Sequence, residues 1–158
     1  KVNPPLRNLH DMQAMIEGLQ EGIIDIIATD HAPHTRGDKL CTFEEASFGI
    51  SGLETALGSL MSLVHSRSVS LPTLIERLTW APARIIESNF GTLKANSPAD
   101  ITIFDPDASW VVDTSQFSSK GQNTPLDGET LRGRVMGTIV GGKVVYKDNS
   151  LRMELVGD

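Results

Sequence analysis

A chain of 158 residues, 39% hydrophobic and 22% charged, has the composition of a globular protein and enough length for one domain with a real core, which excludes general disorder. A net charge of −6 without any lysine or arginine run excludes a surface built for nucleic-acid phosphates or anionic membranes and points to small-molecule or protein partners. Cys41 is the sole cysteine and no apolar run approaches the roughly 20 residues of a membrane helix, so a reducing, cytoplasmic setting is expected.

The opening Lys1-Val2-Asn3-Pro4-Pro5 runs straight into a patterned helix and reads as a cut, not a natural amino terminus. Asn8 can cap that helix, with Met12, Met15, Ile16 and Leu19 on one face and Gly22 as its stop. Ile23 to Thr29 is short, β-branched and almost continuously apolar, the pattern of a parallel strand covered on both faces, although Asp25 within it needs a partner. Residues 30 to 50 have no usable periodicity and form a long loop leaving the strand's carboxyl end; loops of that length in compact domains are usually functional. Ser51 and Glu54 read as a capping box for a helix with Leu53, Ala56, Leu57, Leu60 and Val64 inward. A further helix starts at Ser70, and a shorter one near Pro82. From Gly91 the period becomes two: Ile101-Thr102-Ile103-Phe104 and Trp110-Val111-Val112 read as strands separated by the turn Asp105-Pro106-Asp107, and Gly141-Gly142 marks a hairpin within Val135 to Tyr146. The organisation expected is therefore α/β over residues 1–90 and β-rich over 91–158, with no internal repeat.

The chemistry concentrates in Thr29-Asp30-His31-Ala32-Pro33-His34. Polar residues at the carboxyl ends of parallel strands face the site in α/β barrels. The Asp30 carboxylate could hold a divalent metal and could also accept a proton from metal-bound water. The competing reading is structural: Asp30 caps a turn and both histidines are exposed loop residues. His31, next to Asp30 on the strand, would point to the opposite face and support the site without holding metal. His10, His65 and Cys41 carry no pattern that assigns them a role.

Asp30-His31-Ala32-Pro33-His34 after an apolar run, Phe48-Gly49-Ile50-Ser51-Gly52-Leu53-Glu54-Thr55 opening a helix, and Val2-Asn3-Pro4-Pro5-Leu6-Arg7 ahead of both together resemble the dihydroorotase family, in three ordered blocks. Trp80-Ala81-Pro82-Ala83, Ser97-Pro98-Ala99-Asp100 and Ser119-Lys120-Gly121-Gln122-Asn123-Thr124-Pro125 look like the rest of that family's carboxy-terminal region, so the resemblance covers nearly the whole chain. The Ser-Pro-Ala-Asp block is shared across the wider amidohydrolase superfamily and is the less specific.

The resemblance implies the carboxy-terminal part of a (β/α)₈ TIM barrel, with residues 23–29 as its last strand, followed by strands of a small β-sandwich. It implies a binuclear zinc centre, most of whose ligands lie outside this chain. Asp30 is then both metal ligand and proton shuttle in the reversible cyclisation of N-carbamoyl-L-aspartate to dihydroorotate by zinc-bound hydroxide, a step of pyrimidine synthesis. Asn3, His34 and the loop pair Phe48-Gly49 match substrate-binding positions: the asparagine by its amide, the histidine near the substrate carboxylate, the glycine by its backbone. Phe48 stands where a proline is expected, which puts the loop's rigidity in doubt. The implied partners are the missing amino-terminal barrel portion, a second copy in a homodimer, and aspartate transcarbamoylase.

Hydantoinases and allantoinases share the strand-end Asp-His but generally lack a histidine at the position of His34. A non-catalytic dihydroorotase-like scaffold subunit is the third reading, and the joint presence of Asn3, Asp30 and His34 speaks against it. One barrel strand cannot close a barrel of about 250 residues. The 158 residues alone are thus expected to be inactive and to aggregate or unfold without cooperativity.

Overall fold

The computed structural model describes residues 1–151. Five helices precede a three-stranded sheet: α1 (Leu9–Glu21), α2 (Arg36–Lys39), α3 (Ala56–His65), α4 (Leu71–Leu78) and α5 (Trp80–Ile85), then β1 (Ile101–Val111), a 3₁₀ turn (Thr114–Gln116), β2 (Thr130–Val140) and β3 (Lys143–Lys147). The strands are antiparallel in the order β1-β2-β3.

Local chemistry sets most boundaries. The Asn8 side chain accepts the Asp11 N–H at the start of α1, and Gly22 ends the helix in the left-handed conformation at φ 76°. Ser70 accepts the Thr73 N–H to open α4. Pro82 lies in the first turn of α5, which begins two residues earlier at Trp80. Gly141 and Gly142 take φ of 55° and 78°, the pair of positive values a tight two-residue hairpin needs between β2 and β3.

Four expectations are corrected. Residues 23–29 form no strand. A strand exists only through a neighbour, and no described segment pairs with this one; the Ile24 N–H goes instead to Gly18 O and the Ile27 N–H to Arg77 O. Nor is the segment covered on both sides: Ile24 and Ile27 pack on the core while Ile23 is 72% exposed, and Asp25 is exposed, so its carboxylate is not buried without a partner. The Ser51–Glu54 capping box is absent as well. The helix starts later, at Ala56, because Ser51 Oγ is drawn to Gly121 O and Asn123 Oδ1 while Glu54 Oε1 accepts the Ser119 N–H. Leu53 consequently lies outside the helix and is exposed. Met12 and Met15 are likewise exposed, so only Ile16 and Leu19 of the α1 stripe are buried.

The Asp105-Pro106-Asp107 turn does not separate two strands either. Both halves belong to β1 and pair with β2, Asp105 opposite Arg134 and Ser109 opposite Arg132, leaving the intervening residues as a bulge. Asp105 Oδ1 accepts the N–H groups of Asp107 and Ala108, satisfying donors that the bulge removes from the ladder.

The core gathers Ile16 and Leu19 of α1, Met61 of α3, Val69, and Leu74 of α4, with Phe104 of β1 packed against it. The sheet meets α3 at very short range. A Cβ built on Gly58 would lie 3.1 Å from Leu131 Cβ, and one on Gly133 would lie 2.6 Å from Met61 Cγ. Gly133 also has φ 108°, so two independent constraints exclude a side chain there.

Gly133→Ala is expected to destabilise the fold by about 2–4 kcal/mol, combining backbone strain with overpacking against Met61. Gly128→Ala, at φ 81° with no atom within 4 Å of its added Cβ, is expected to carry the strain alone, about 1–2 kcal/mol. Chemical denaturation of both variants measures the difference; equal losses would remove the packing contribution.

Candidate functional site

Three segments far apart in sequence converge at the head of the helical layer. The Ala32 N–H donates to Ile50 O at 2.9 Å, and His31 and Ile50 form an isolated parallel bridge. The Ser51 N–H donates to Asn123 O at 3.0 Å, which adds the 119–123 stretch. Pro33 is packed so tightly under this stretch that a Cβ on Gly121 would lie 2.3 Å from Pro33 Cβ.

Asp30 opens the site in a left-handed conformation, φ 45°. That backbone costs most non-glycine residues about 1–2 kcal/mol, and aspartate is among those that tolerate it. The side chain is exposed, and no hydrogen bond among the described residues engages its carboxylate. His31 is committed differently. Its Nδ1 accepts the N–H groups of Gly52 and Leu53, each at 3.2 Å, and Nε2 lies 3.5 Å from Ser119 Oγ. His31 thus secures the turn leading into α3, and its Nδ1 lone pair is occupied.

His34 donates its backbone N–H to Asn123 Oδ1 at 2.8 Å, and its Nε2 lies 2.8 Å from Phe48 O. A carbonyl can only accept, so Nε2 carries the proton and Nδ1 stays free. Gly49, at φ 129°, passes so close to Ala32 that an added Cβ would lie 2.4 Å from Ala32 Cβ. Both of its backbone groups are engaged: the N–H donates to Lys1 O, and the carbonyl accepts from Lys39 Nζ at 3.0 Å and Asn123 Nδ2 at 3.1 Å. The Lys1 ammonium sits 4.5 Å from the Phe48 ring centroid, so the segment bearing Asn3 runs beside this loop; Asn3 itself is exposed. The structure therefore brings His34, Phe48 and Gly49 into direct contact, while among the described residues no hydrogen bond links Asp30 or Asn3 to them.

Sequence reasoning missed three features. The short helix α2 is set by a Thr35–Asp38 capping box, a Thr-x-x-Asp signal readable inside the loop. The Thr35 hydroxyl, and then the Thr35 N–H, hold the Asp38 carboxyl below its ordinary pKa. Its capping contribution is therefore complete at neutral pH and lost as pH falls through that depressed value. Lys39 reaches back to Ser47 O and Gly49 O. Asn123 lies in a stretch whose pattern was recognisable but whose role was not. Beside these residues a cleft of about 380 Å³ is lined by His34, Arg36, Lys39, Lys120 and Asn123, with Asp127 as its carboxylate. The cationic excess suits a small anion.

Among the described residues, no three histidine, cysteine, aspartate or glutamate side chains come together as a metal-binding cluster. With His31 Nδ1 occupied and the Asp30 carboxylate free, the site fits a contribution of one ligand to a metal held mainly by other groups.

A sequence model of the amidohydrolase family matches residues 6–145. The dihydroorotase of Aquifex aeolicus is 53% identical over 148 residues, covering 94% of this chain and 35% of that protein. The dihydroorotase of Syntrophus aciditrophicus is 47% identical over 149 residues, again 94% of this chain and 35% of the relative. Among solved structures, the L-hydantoinase (dihydropyrimidinase) of Arthrobacter aurescens superposes with a TM-score of 0.86 at 34% identity, over 98% of this chain and 36% of that one. The chain thus spans about a third of the length of the relatives it matches.

Gly49→Ala should force the Phe48–Gly49 segment away from Ala32 and free the 34–47 loop. Limited trypsin digestion is expected to cut after Arg36 and Lys39 at least tenfold faster than in the unmodified protein. Gly37→Ala, whose Cβ would meet only Thr35 Oγ1 at 3.7 Å, should leave the rate within about twofold. Equal rates in all three proteins would show that the contact at Gly49 does not hold the loop.

Proposed function

We propose that this chain, which belongs to the amidohydrolase family, is part of a dihydroorotase, closing N-carbamoyl-L-aspartate to dihydroorotate and reopening it. The observation that carries this reading is the loop cluster of His34, Phe48 and Gly49, with His34 also lining a cationic cleft, in a chain with an exposed Asp30 that is about half identical to dihydroorotases. On this reading residues 1–90 complete a (β/α)₈ barrel with the part of the protein that the relatives possess beyond this match. Residues 91–158 contribute strands to a small β-sandwich; of these, 152–158 lie outside the described residues. The partners missing from residues 23–29 are then the neighbouring barrel strands, which would supply the ladder and cover Ile23 and Ile26.

Asp30 is the residue here that would hold a metal, and we propose zinc; when bound, the metal supplies Lewis-acid polarisation of the ring amide and makes water acidic enough to act near neutral pH. In the ring-opening direction a water oxygen bonds to the amide carbon, the carbon–nitrogen bond breaks, and Asp30 passes the water's proton to the departing nitrogen. Closure runs these transfers in reverse, with loss of water.

His34 is proposed to bind the substrate carboxylate. Its Nε2–H is already given to Phe48 O, so donation to a carboxylate falls to Nδ1 and calls for the doubly protonated ring. The Gly49 N–H, engaged by Lys1 O, would have to exchange that partner for a ring carbonyl, while Asn3 would turn its free amide inward. Arg36 and Lys120 at the cleft raise the local concentration of the dianionic substrate. A homodimer is the proposed assembly.

The full-length protein loaded with zinc should consume dihydroorotate in a direct absorbance assay; turnover of hydantoin with none of dihydroorotate would sink the reading. In that protein Asp30→Asn is expected to lower kcat at least 10²–10⁴-fold without loss of folding, because asparagine tolerates the same left-handed backbone. His34→Ala should raise KM more than it lowers kcat, the mark of lost substrate binding. Small, equal effects from both substitutions would place the site elsewhere.

A further inference from the structure

The Asn123 side chain is saturated with hydrogen bonds. Oδ1 accepts the His34 N–H at 2.8 Å and lies 2.9 Å from Ser51 Oγ; Nδ2 donates to Ala32 O and to Gly49 O, each at 3.1 Å. Its orientation follows from the partners alone. The two carbonyls can only accept and the backbone N–H can only donate, so the amide nitrogen must face the carbonyls and the oxygen the N–H. One planar group thereby spans the residues on both sides of Pro33 and the glycine of the facing loop, from a position 89 residues beyond His34. Residues other than asparagine meet this demand poorly: aspartate would set oxygen against two carbonyl oxygens, alanine would leave the His34 N–H and Ala32 O unpartnered while Gly49 O keeps Lys39 Nζ and Ser51 Oγ keeps Gly121 O, and glutamine carries an additional methylene.

We propose that Asn123 is a positioning residue of the substrate site: it fixes His34 and Gly49 relative to each other, so that the imidazole and the glycine backbone meet the substrate in one geometry. The assignment of the substrate rests on the preceding section; the holding of the two loops does not. Asn123 acts through His34 and Gly49 and needs no contact with the reacting atoms. In the free protein the His34 ring depends on Phe48 O, and Phe48 adjoins the glycine whose carbonyl Asn123 grips. Loss of the amide would therefore free the His34 N–H at one end of the ring contact and weaken the hold on Gly49 at the other, leaving the Gly49 carbonyl to Lys39 Nζ and its N–H to Lys1 O. Binding should suffer through misplacement, as interactions realised only in a narrow geometry do.

The test uses the full-length zinc-loaded protein and its Asn123→Ala, Asn123→Asp, His34→Ala and double His34→Ala/Asn123→Ala variants, assayed with dihydroorotate. Asn123→Ala is expected to raise KM at least tenfold while kcat stays within about threefold, and Asn123→Asp to raise KM further. The double variant should raise KM by less than the product of the single effects, since both act through one group. A product of the two effects would overturn the proposal, because a remote structural defect multiplies independently. Hydrogen exchange read on peptides covering residues 32–36 decides the matter without reference to substrate. The His34 amide should exchange at least tenfold faster in Asn123→Ala, with β2 amides unchanged as the control for folding. Unaltered exchange at His34 would overturn the holding role even if KM rises. If the unmodified protein leaves dihydroorotate untouched, the proposed function falls and the exchange result alone judges Asn123. Should Asn123→Asp fail to fold, Asn123→Ala, which adds no oxygen–oxygen contact, carries the comparison.

Discussion

Two carbonyls, one backbone N–H and one hydroxyl meet at the Asn123 amide, and the arrangement of the site depends on that meeting. Loops carry backbone polar groups that no ladder satisfies, and a half-buried group without a partner costs about 1–3 kcal/mol. Here one side chain satisfies several of them at once, in a pattern that specifies which loop lies beside which. His31 does similar work one step away by accepting two consecutive N–H groups at the entrance to α3. The loops at the head of the layer are thus ordered by partly buried polar contacts, which suits a site that must present polar groups in fixed directions.

Beneath the loops a different constraint operates. Helix α3 and strand β2 approach each other through Gly58 and Gly133, with Met61 filling the contact from one side and Trp110 Nε1 donating to Gly133 O from another. The absence of two side chains is what lets the sheet seat on the helix. Because the 119–123 stretch is carried between β1 and β2, the seating of that sheet also sets where Asn123 arrives. Core packing and site geometry are in this way parts of one arrangement.

On the proposed function, the described residues would supply substrate orientation and proton handling. The Asp30 carboxylate, the His34 imidazole with its free Nδ1 and the cationic cleft are the groups that would, on that reading, hold an anion and move a proton. With the proposed metal at Asp30, the same residues would supply the acid-base partner of a hydrolytic step, and the remaining ligands would come from outside them. The L-hydantoinase superposition fits this division, since a match over nearly all of the chain covers little more than a third of that structure.

The sequence by itself determined the local events. Asn8, Gly22, Ser70 and the Gly141-Gly142 pair each fix a boundary through their own backbone preferences or capping bonds, and such effects act within a few residues. The ordered blocks at Asn3, Asp30 and Phe48-Gly49 were equally legible, because they are contiguous. What only the tertiary structure decided required partners distant in the chain. Ser51 has the sequence context of a helix cap, yet its hydroxyl is taken by Gly121 and Asn123 some 70 residues away, so the helix begins at Ala56. Residues 23–29 have the composition of a buried strand, but strand identity is conferred by a neighbour, and no described residue provides one. Asp105-Pro106-Asp107 has the composition of a turn, and pairing of both flanks with β2 makes it a bulge. Asn123 was unreadable for the same reason: an amide's role is set by the donors and acceptors placed around it, and these come from two loops that only the folded chain brings to it.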